Sequence, residues 1–157
     1  MTAVDVDYLR RCVELAGLAL DAGDEPFGSL LLDADGVVRF EDHNHVAGGD
    51  ATRHPELAIA LWAVENLRPQ QRREATVYTS GEHCPMCSAA HAWVGLGRIG
   101  YAASSAQLTG WLQEWNAPVP PVASLPITAV APDIPVDGPA PELTETMKAL
   151  YERAFRR

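Results

Sequence analysis

Residues 75–103 read ATVYTSGEHCPMCSAAHAWVGLGRIGYAA. A β-rich run, ATVYTS (75–80), precedes a helical stretch, PMCSAAHAWVGL (85–96), and a second β-rich run, RIGYAA (98–103), closes the segment. Pro85 suits the first helical position, because proline has no N–H to leave unsatisfied there. Strand, helix and strand in this order predict two parallel neighbours joined by a right-handed crossover. Cys84 and Cys87 stand at the start of that crossover helix. They admit three readings: a thiol redox pair, the corner of a structural zinc site, or part of a catalytic zinc centre.

Working upstream, RHPELAIALWAVENL (53–67) predicts a second helix with Leu57, Leu61, Val64 and Leu67 marking one face. Pro55 opens this helix, and His54 lies just outside it, since a residue before proline avoids the helical region. A polar loop, HNHVAGGDAT (43–52), follows a β-hairpin over FGSLLLDADGVVRFED (27–42) that turns at DADG. Val6, Leu9, Val13, Ala16 and Leu20 mark an amphipathic first helix ending near DAGDEP (21–26). Cys12 falls on its apolar side and reads as a core thiol. Downstream, AQLTGWLQEW (106–115) predicts a short helix. Eight of the twelve prolines then lie between Pro118 and Pro141, with one expected strand, PITAVA (126–131), inside that stretch. The expectation is a single domain over 1–157, in which 118–157 form a proline-rich strap plus a C-terminal helix. Helices should cover both faces of a mixed sheet.

With 157 residues, 47% of them hydrophobic, the chain has the size of one compact domain with a substantial core. Acidic residues appear before any apolar run at the N-terminus, and no apolar run approaches the roughly 20 residues that cross a bilayer. The expectation is a cytoplasmic protein with no membrane association. A net charge of -9 and a single lysine among twelve basic residues make nucleic acid a poor partner. Three cysteines at 12, 84 and 87 make no disulfide framework and fit a reducing compartment.

Zinc prefers thiolate and neutral imidazole, and a catalytic zinc keeps three protein ligands with water in the fourth position. Cys84 and Cys87 are spaced to bind one ion from the first turn of a helix, where the positive end of the dipole favours thiolates. His54 and Glu56 occupy the equivalent place at the start of the preceding helix. Two helix starts on one edge of a sheet face each other across a crevice, where open α/β sheets hold ligands. His54, Cys84 and Cys87 then form an open ligand set with Glu56 beside it. Zinc lowers the pKa of its water to roughly 7, and Glu56 would take and return protons. A structural site would need a fourth protein ligand, for which His83 and His91 are the nearby candidates, and would leave Glu56 without a purpose. A redox pair would leave the H-x-E pattern unexplained.

HPE at 54–56 followed by CPMC at 84–87 resembles the zinc-dependent cytidine deaminase superfamily, with its H-x-E and P-C-x-x-C signature. EPFGSLLLDADG is similar to the early hairpin of the guanine, cytosine and tRNA adenosine deaminases, and the stretch carrying the cysteines is similar to that of guanine deaminases. The likeness covers roughly residues 5 to 105. It implies a three-layer α/β/α cytidine deaminase-like fold with a mixed sheet of about five strands, Zn2+ as cofactor, and hydrolytic deamination of a free amino-substituted nucleobase. Guanine, cytosine, isoguanine and aminotriazines all present the required amine beside a ring nitrogen. A tRNA adenosine deaminase, a nucleoside or nucleotide deaminase and a non-catalytic zinc module are the alternatives.

The same resemblance assigns residues to the base. Asn44 matches the family's substrate-binding asparagine, and Phe27 either stacks on the ring or packs the hairpin. Pro55 stands where alanine is usual and His83 where proline is usual, so both bear on the pocket mouth, His83 as a rim residue or a substrate contact. His91 reads as a hydrogen-bonded packing residue. Glu114 is the candidate acidic purine reader after the fourth strand. Trp93 is expected half in the core and half at the contact of a homodimer. Tyr151 and Phe155 belong to a C-terminal helix expected to close the site; the competing reading is that they pack that helix onto the sheet.

Overall fold

The computed structural model describes residues 1–156. Its first helix, α1 (Ala3–Asp21), starts at a capping box in which the Thr2 hydroxyl accepts the Asp5 N–H and the Asp5 carboxylate accepts the Thr2 N–H. The hairpin β1 (Gly28–Leu32) and β2 (Val38–His43) follows. Next come α2 (Pro55–Asn66), a short α3 (Pro69–Glu74), β3 (Thr76–Gly81), α4 (Pro85–Trp93), β4 (Arg98–Ala103) and α5 (Ser105–Glu114). The chain ends with α6 (Ile127–Val130), a two-residue β5 (Val136–Asp137) and α7 (Thr144–Phe155). Among the described residues, no helix is long and apolar enough to cross a membrane.

The five strands form one sheet in the order β2-β1-β3-β4-β5. β1 pairs antiparallel with both β2 and β3, whereas β3 pairs parallel with β4 (Val77 opposite Ile99) and β4 parallel with β5. Alternation along β1 and β3 divides the core. Leu30, Leu32 and Tyr78 face Leu9, Cys12 and Val13 of α1 together with Met147 and Tyr151 of α7. Leu31 and Val77 face Ile59, Ala60 and Ala63 of α2 and Leu96 after α4. The result is three layers, with α1, α5 and α7 on one side of the sheet and α2 and α4 on the other. Leu9, Leu30, Leu31, Ile59 and Ile99 have no exposure at all, and each such side chain contributes about 1.5–3 kcal/mol of transfer free energy. Gly28 allows α1 to lie close to the sheet: a Cβ there would come within 2.4 Å of Leu15 Cβ and 2.5 Å of the Cys12 carbonyl oxygen.

Several expectations need correction. Of the four residues that mark one face of α2 in the sequence, only Leu67 is buried; Leu57 is partly so, and Leu61 and Val64 point outward, so that face is not the one against the sheet. The helix is apolar on both sides, and its small residues, Ala60 and Ala63, take the sheet side because they let the backbone approach closely. PITAVA is not a strand: Ile127–Val130 is helical, its first N–H held by the Glu82 carboxylate at 2.8 Å, and the strand of this region is Val136–Asp137. Local β-propensity loses there to a tertiary cap. The helix expected over 85–96 ends at Trp93, which is 89% exposed and contributes nothing to the core. Helix α3 carries no apolar stripe, so hydrophobic periodicity gives no sign of it.

Candidate active site

β3 runs out at Gly81 and the chain passes through Glu82 and His83 to Cys84, which caps α4 in an extended conformation ahead of Pro85. His54 caps α2 in the same way ahead of Pro55. The two prolines fix both helix starts with their first turns facing one crevice. The thiol sulfurs of Cys84 and Cys87 each lie 3.6 Å from His54 Nδ1. These three donor atoms all fall within 4.8 Å of one another. A tetrahedral zinc with ordinary Zn–S and Zn–N bonds holds its sulfur and nitrogen ligands about 3.5 Å apart, so the set fits that ion as it stands. Hydrogen bonding by the Cys87 thiol and by His54 draws the Cys84 thiol down to about 4, while the same pairing with Cys84, and burial, push Cys87 up. Both thiols must be deprotonated to ligate zinc, so metal binding at this set releases protons.

Glu56, in the first turn of α2, is buried beside this set. The hydroxyls of Ser29 and Thr79, directly opposite each other on β1 and β3, both lie 2.8 Å from Glu56 Oε1. Burial pushes the Glu56 carboxyl up from its ordinary range, and hydrogen bonds from Thr79 and Ser29 only partly offset this. No motif in the sequence marks Ser29 and Thr79. Their one signal is polarity inside two strands otherwise destined for full burial.

Asn44 has no exposure, and its amide is fixed: Oδ1 accepts the Val46 N–H at 3.0 Å, while its own backbone N–H donates to the Phe27 carbonyl at 3.0 Å. Nδ2 is buried and has no partner among the described residues. An unmade donor of this kind is costly unless something else fills it, which suits a ligand site. Phe27 packs against Tyr151, with ring centroids 5.5 Å apart, and both rings crowd Gly81, where a Cβ would come within 2.6 Å of the Tyr151 hydroxyl. That hydroxyl is also buried and has no partner among the described residues. Glu25 is a further carboxyl near the crevice that no sequence pattern singles out; burial raises its pKa and the neighbouring His54 lowers it.

The remaining candidates separate. Pro55 is buried at the start of α2. His83 is not a rim residue: it is buried edge-on against His91, ring centroids 5.3 Å apart, with neither of its nitrogens partnered. His91 Nε2–H donates to the Gly97 carbonyl at 2.8 Å, a packing role. Neither histidine enters the His54, Cys84 and Cys87 set. Glu114 is exposed and pairs with Lys148 at 3.3 Å, and Trp93 projects outward from the end of α4. Phe155 is half-buried behind Tyr151, ring centroids 6.1 Å apart.

Comparison with known proteins agrees with this geometry. The profile of the cytidine and deoxycytidylate deaminase zinc-binding region matches residues 2–103. A probable cytosine deaminase of Schizosaccharomyces pombe is 32% identical over 140 residues, which cover 83% of this chain and 85% of that protein. The X-ray structure of guanine deaminase from Bacillus subtilis superimposes with a TM-score of 0.60 at 26% identity, over 84% of this chain and 91% of that one. A tRNA:A34 deaminase, which performs A-to-I editing at the wobble position, superimposes with a TM-score of 0.56 at 28% identity, over 65% of this chain and 78% of that one. The matched region contains both helix starts and the carboxylate between them, and the chain therefore belongs to the zinc-binding cytidine and deoxycytidylate deaminase family, hydrolases of C–N bonds.

Proposed function

We propose that this protein hydrolytically deaminates a free amino-substituted nucleobase and releases ammonia. The observation that carries the reading is the pairing of a buried, hydroxyl-held Glu56 with the open His54, Cys84 and Cys87 set; a buried Asn44 amide whose donor has no partner among the described residues supports it. His54, Cys84 and Cys87 would hold the zinc, which when bound would supply an activated water. Glu56 Oε1 is held by Ser29 and Thr79, which leaves Oε2 to carry two protons in turn, the first from the attacking water to the ring nitrogen and the second from the hydroxyl added to the ring carbon to the leaving amine, which departs as ammonia. Its raised pKa suits a group that must both take and give a proton near neutrality. Asn44 Nδ2 would donate to an acceptor on the base, and Phe27 with Tyr151 would form an apolar wall that keeps bulk water from the ring.

The likeness to a cytosine deaminase over most of both chains supports a free base as substrate. The likeness to a tRNA deaminase supports a second reading, against which stand a net charge of -9 and a single lysine that is already paired with Glu114. Ammonia release measured over free cytosine, guanine, isoguanine and aminotriazines, beside their nucleosides and an adenosine-34 tRNA, tests both. Turnover of one or more free bases, with none of tRNA, is expected. Activity on tRNA alone would overturn the proposal.

The working unit in this reading is a homodimer. Leu61 and Val64 of α2 are 60% and 50% exposed, and Trp93 of α4 more so, on two helices packed side by side. An apolar surface of this kind suits a second copy of the chain.

A further inference from the structure

We propose that Asp24, His43 and His45 form a second metal site, for a divalent first-row transition ion of the zinc class, separate from the His54, Cys84 and Cys87 set. One ligand atom from each of the three residues lies within 4.8 Å of the others. Two imidazoles and one carboxylate are a donor set that such ions take readily, with room for water at the open positions.

The surroundings prepare these side chains for ligation. His43 Nδ1–H donates to the Asn44 carbonyl at 2.9 Å, and His45 Nε2–H donates to Asp42 Oδ1 at 2.8 Å. Both partners only accept hydrogen bonds, so in the neutral imidazole the proton sits on the engaged nitrogen and the lone pair on the other, Nε2 of His43 and Nδ1 of His45. A histidine whose second nitrogen is held by a carbonyl or a carboxylate has the outer hydrogen bond typical of metal-ligating histidines. The two rings lie 4.4 Å apart between centroids. Asp24 Oδ1 accepts the Ala47 N–H at 2.7 Å, which fixes the carboxylate and leaves Oδ2. Among the described residues no basic side chain forms an ion pair with Asp24, and all three residues are half-buried, reachable by an ion yet held by their neighbours.

Chain placement gives the site a consequence. His43 and His45 flank Asn44, the buried residue with the open amide donor, and Asp24 lies in the turn that leads from α1 to Phe27. That turn is already tied to the loop after β2 by the Ala47 N–H to Asp24 and the Asn44 N–H to the Phe27 carbonyl. A metal bound there would join the same two segments by coordinate bonds and brace the loop that carries Asn44.

The test takes the full chain with its Cys-bound zinc in place and titrates Co2+ at neutral pH. One further equivalent should bind, with weak d–d absorption and no thiolate charge-transfer band, because this site contains no sulfur. The melting temperature should rise with Co2+ concentration, as for any ligand that binds only the folded state. Asp24→Asn, His43→Gln and His45→Gln should each abolish the further equivalent and the rise in melting temperature, while retaining the first zinc and the far-UV circular dichroism of the native chain. Any variant that lost the native fold would be set aside, and the other two carry the comparison. Failure of the unmodified protein to take up a further equivalent, or uptake that survives in the folded variants, would overturn the proposal. None of these readouts depends on turnover, so they stand apart from the assignment of the substrate.

Discussion

At the scale of single residues, the proposed function divides the site into groups that hold metal, one that moves protons and one that holds the base, and each division can be measured. Glu56→Ala should leave the zinc content near one per chain and lower kcat by at least ~10²-fold, the lower range for a positioned acid and base. Metal analysis and ammonia release on one sample decide this, and retained turnover would remove Glu56 from the chemistry. Asn44→Ala removes a neutral hydrogen-bond donor from a buried site, so kcat/KM should fall about 10- to 100-fold with zinc unchanged. A loss of zinc in that variant would instead give Asn44 a structural role in holding the loop before His54.

At the scale of elements, two readings of α7 can be separated, a wall of the crevice and a packing element alone. Leu143, just before it, and Met147 and Tyr151 within it are buried among residues of α1 and β4, so the helix packs onto the sheet. Deleting it would expose core and confound any measurement of activity. Tyr151→Phe is the cleaner probe because the lost hydroxyl has no partner in the folded protein. Stability should hold or rise by up to about 1 kcal/mol, since a buried unpaired hydroxyl is a cost. If α7 also lines the pocket, kcat/KM should fall while the melting temperature does not; unchanged kinetics with unchanged base preference would leave α7 a packing element alone. The strap before it is more ordered than its prolines suggest. Glu82, at the end of β3, accepts the first N–H groups of both α5 and α6 at 2.8 Å, and so fastens the strap beside the helix that carries the cysteines.

At the scale of the whole molecule, one ionic cluster ties α1 to three strands. Arg98 Nη1 donates to Asp5 at 2.9 Å, its Nε donates to Asp137 at 2.7 Å, and the Tyr78 hydroxyl donates to Asp5. Burial alone would raise the Asp5 pKa, but hydrogen bonds from Tyr78, Arg98 and Thr2 outweigh it and hold the carboxyl well below the ordinary range. The folded-state pKa is depressed, so this stabilisation is complete above the unfolded value of about 3.9 and is lost as pH falls below it. Asp5→Asn should therefore cost about 2 kcal/mol at pH 7 and flatten the decline in stability between about pH 4 and pH 2, as urea unfolding at each pH would show. Assembly is tested separately. Light scattering should give a dimer for the unmodified chain and a monomer for Leu61→Asp, which places a charge in the exposed apolar surface of α2 without entering the core. A monomer in both cases would overturn the dimer.

What the sequence by itself determined was the set of local signals: the period of α1, the proline-opened helix starts at Pro55 and Pro85, the hairpin, and the order of strand and helix that requires a parallel pair. Together with the H-x-E and C-x-x-C spacing, these signals make the metal donors and Glu56 legible in the chain itself, because each depends on where a helix begins. Only the tertiary structure decided which apolar side of α2 faces the sheet, since both sides are apolar and backbone proximity selected Ala60 and Ala63 over Leu61 and Val64. It also decided that Ser29 and Thr79 meet at Glu56, that His83 is buried rather than at the rim, and that Ile127 begins a helix. Each of these depends on a contact between residues far apart in the chain. Periodicity and propensity report what a segment offers, and the neighbour that accepts the offer appears only when the chain is folded.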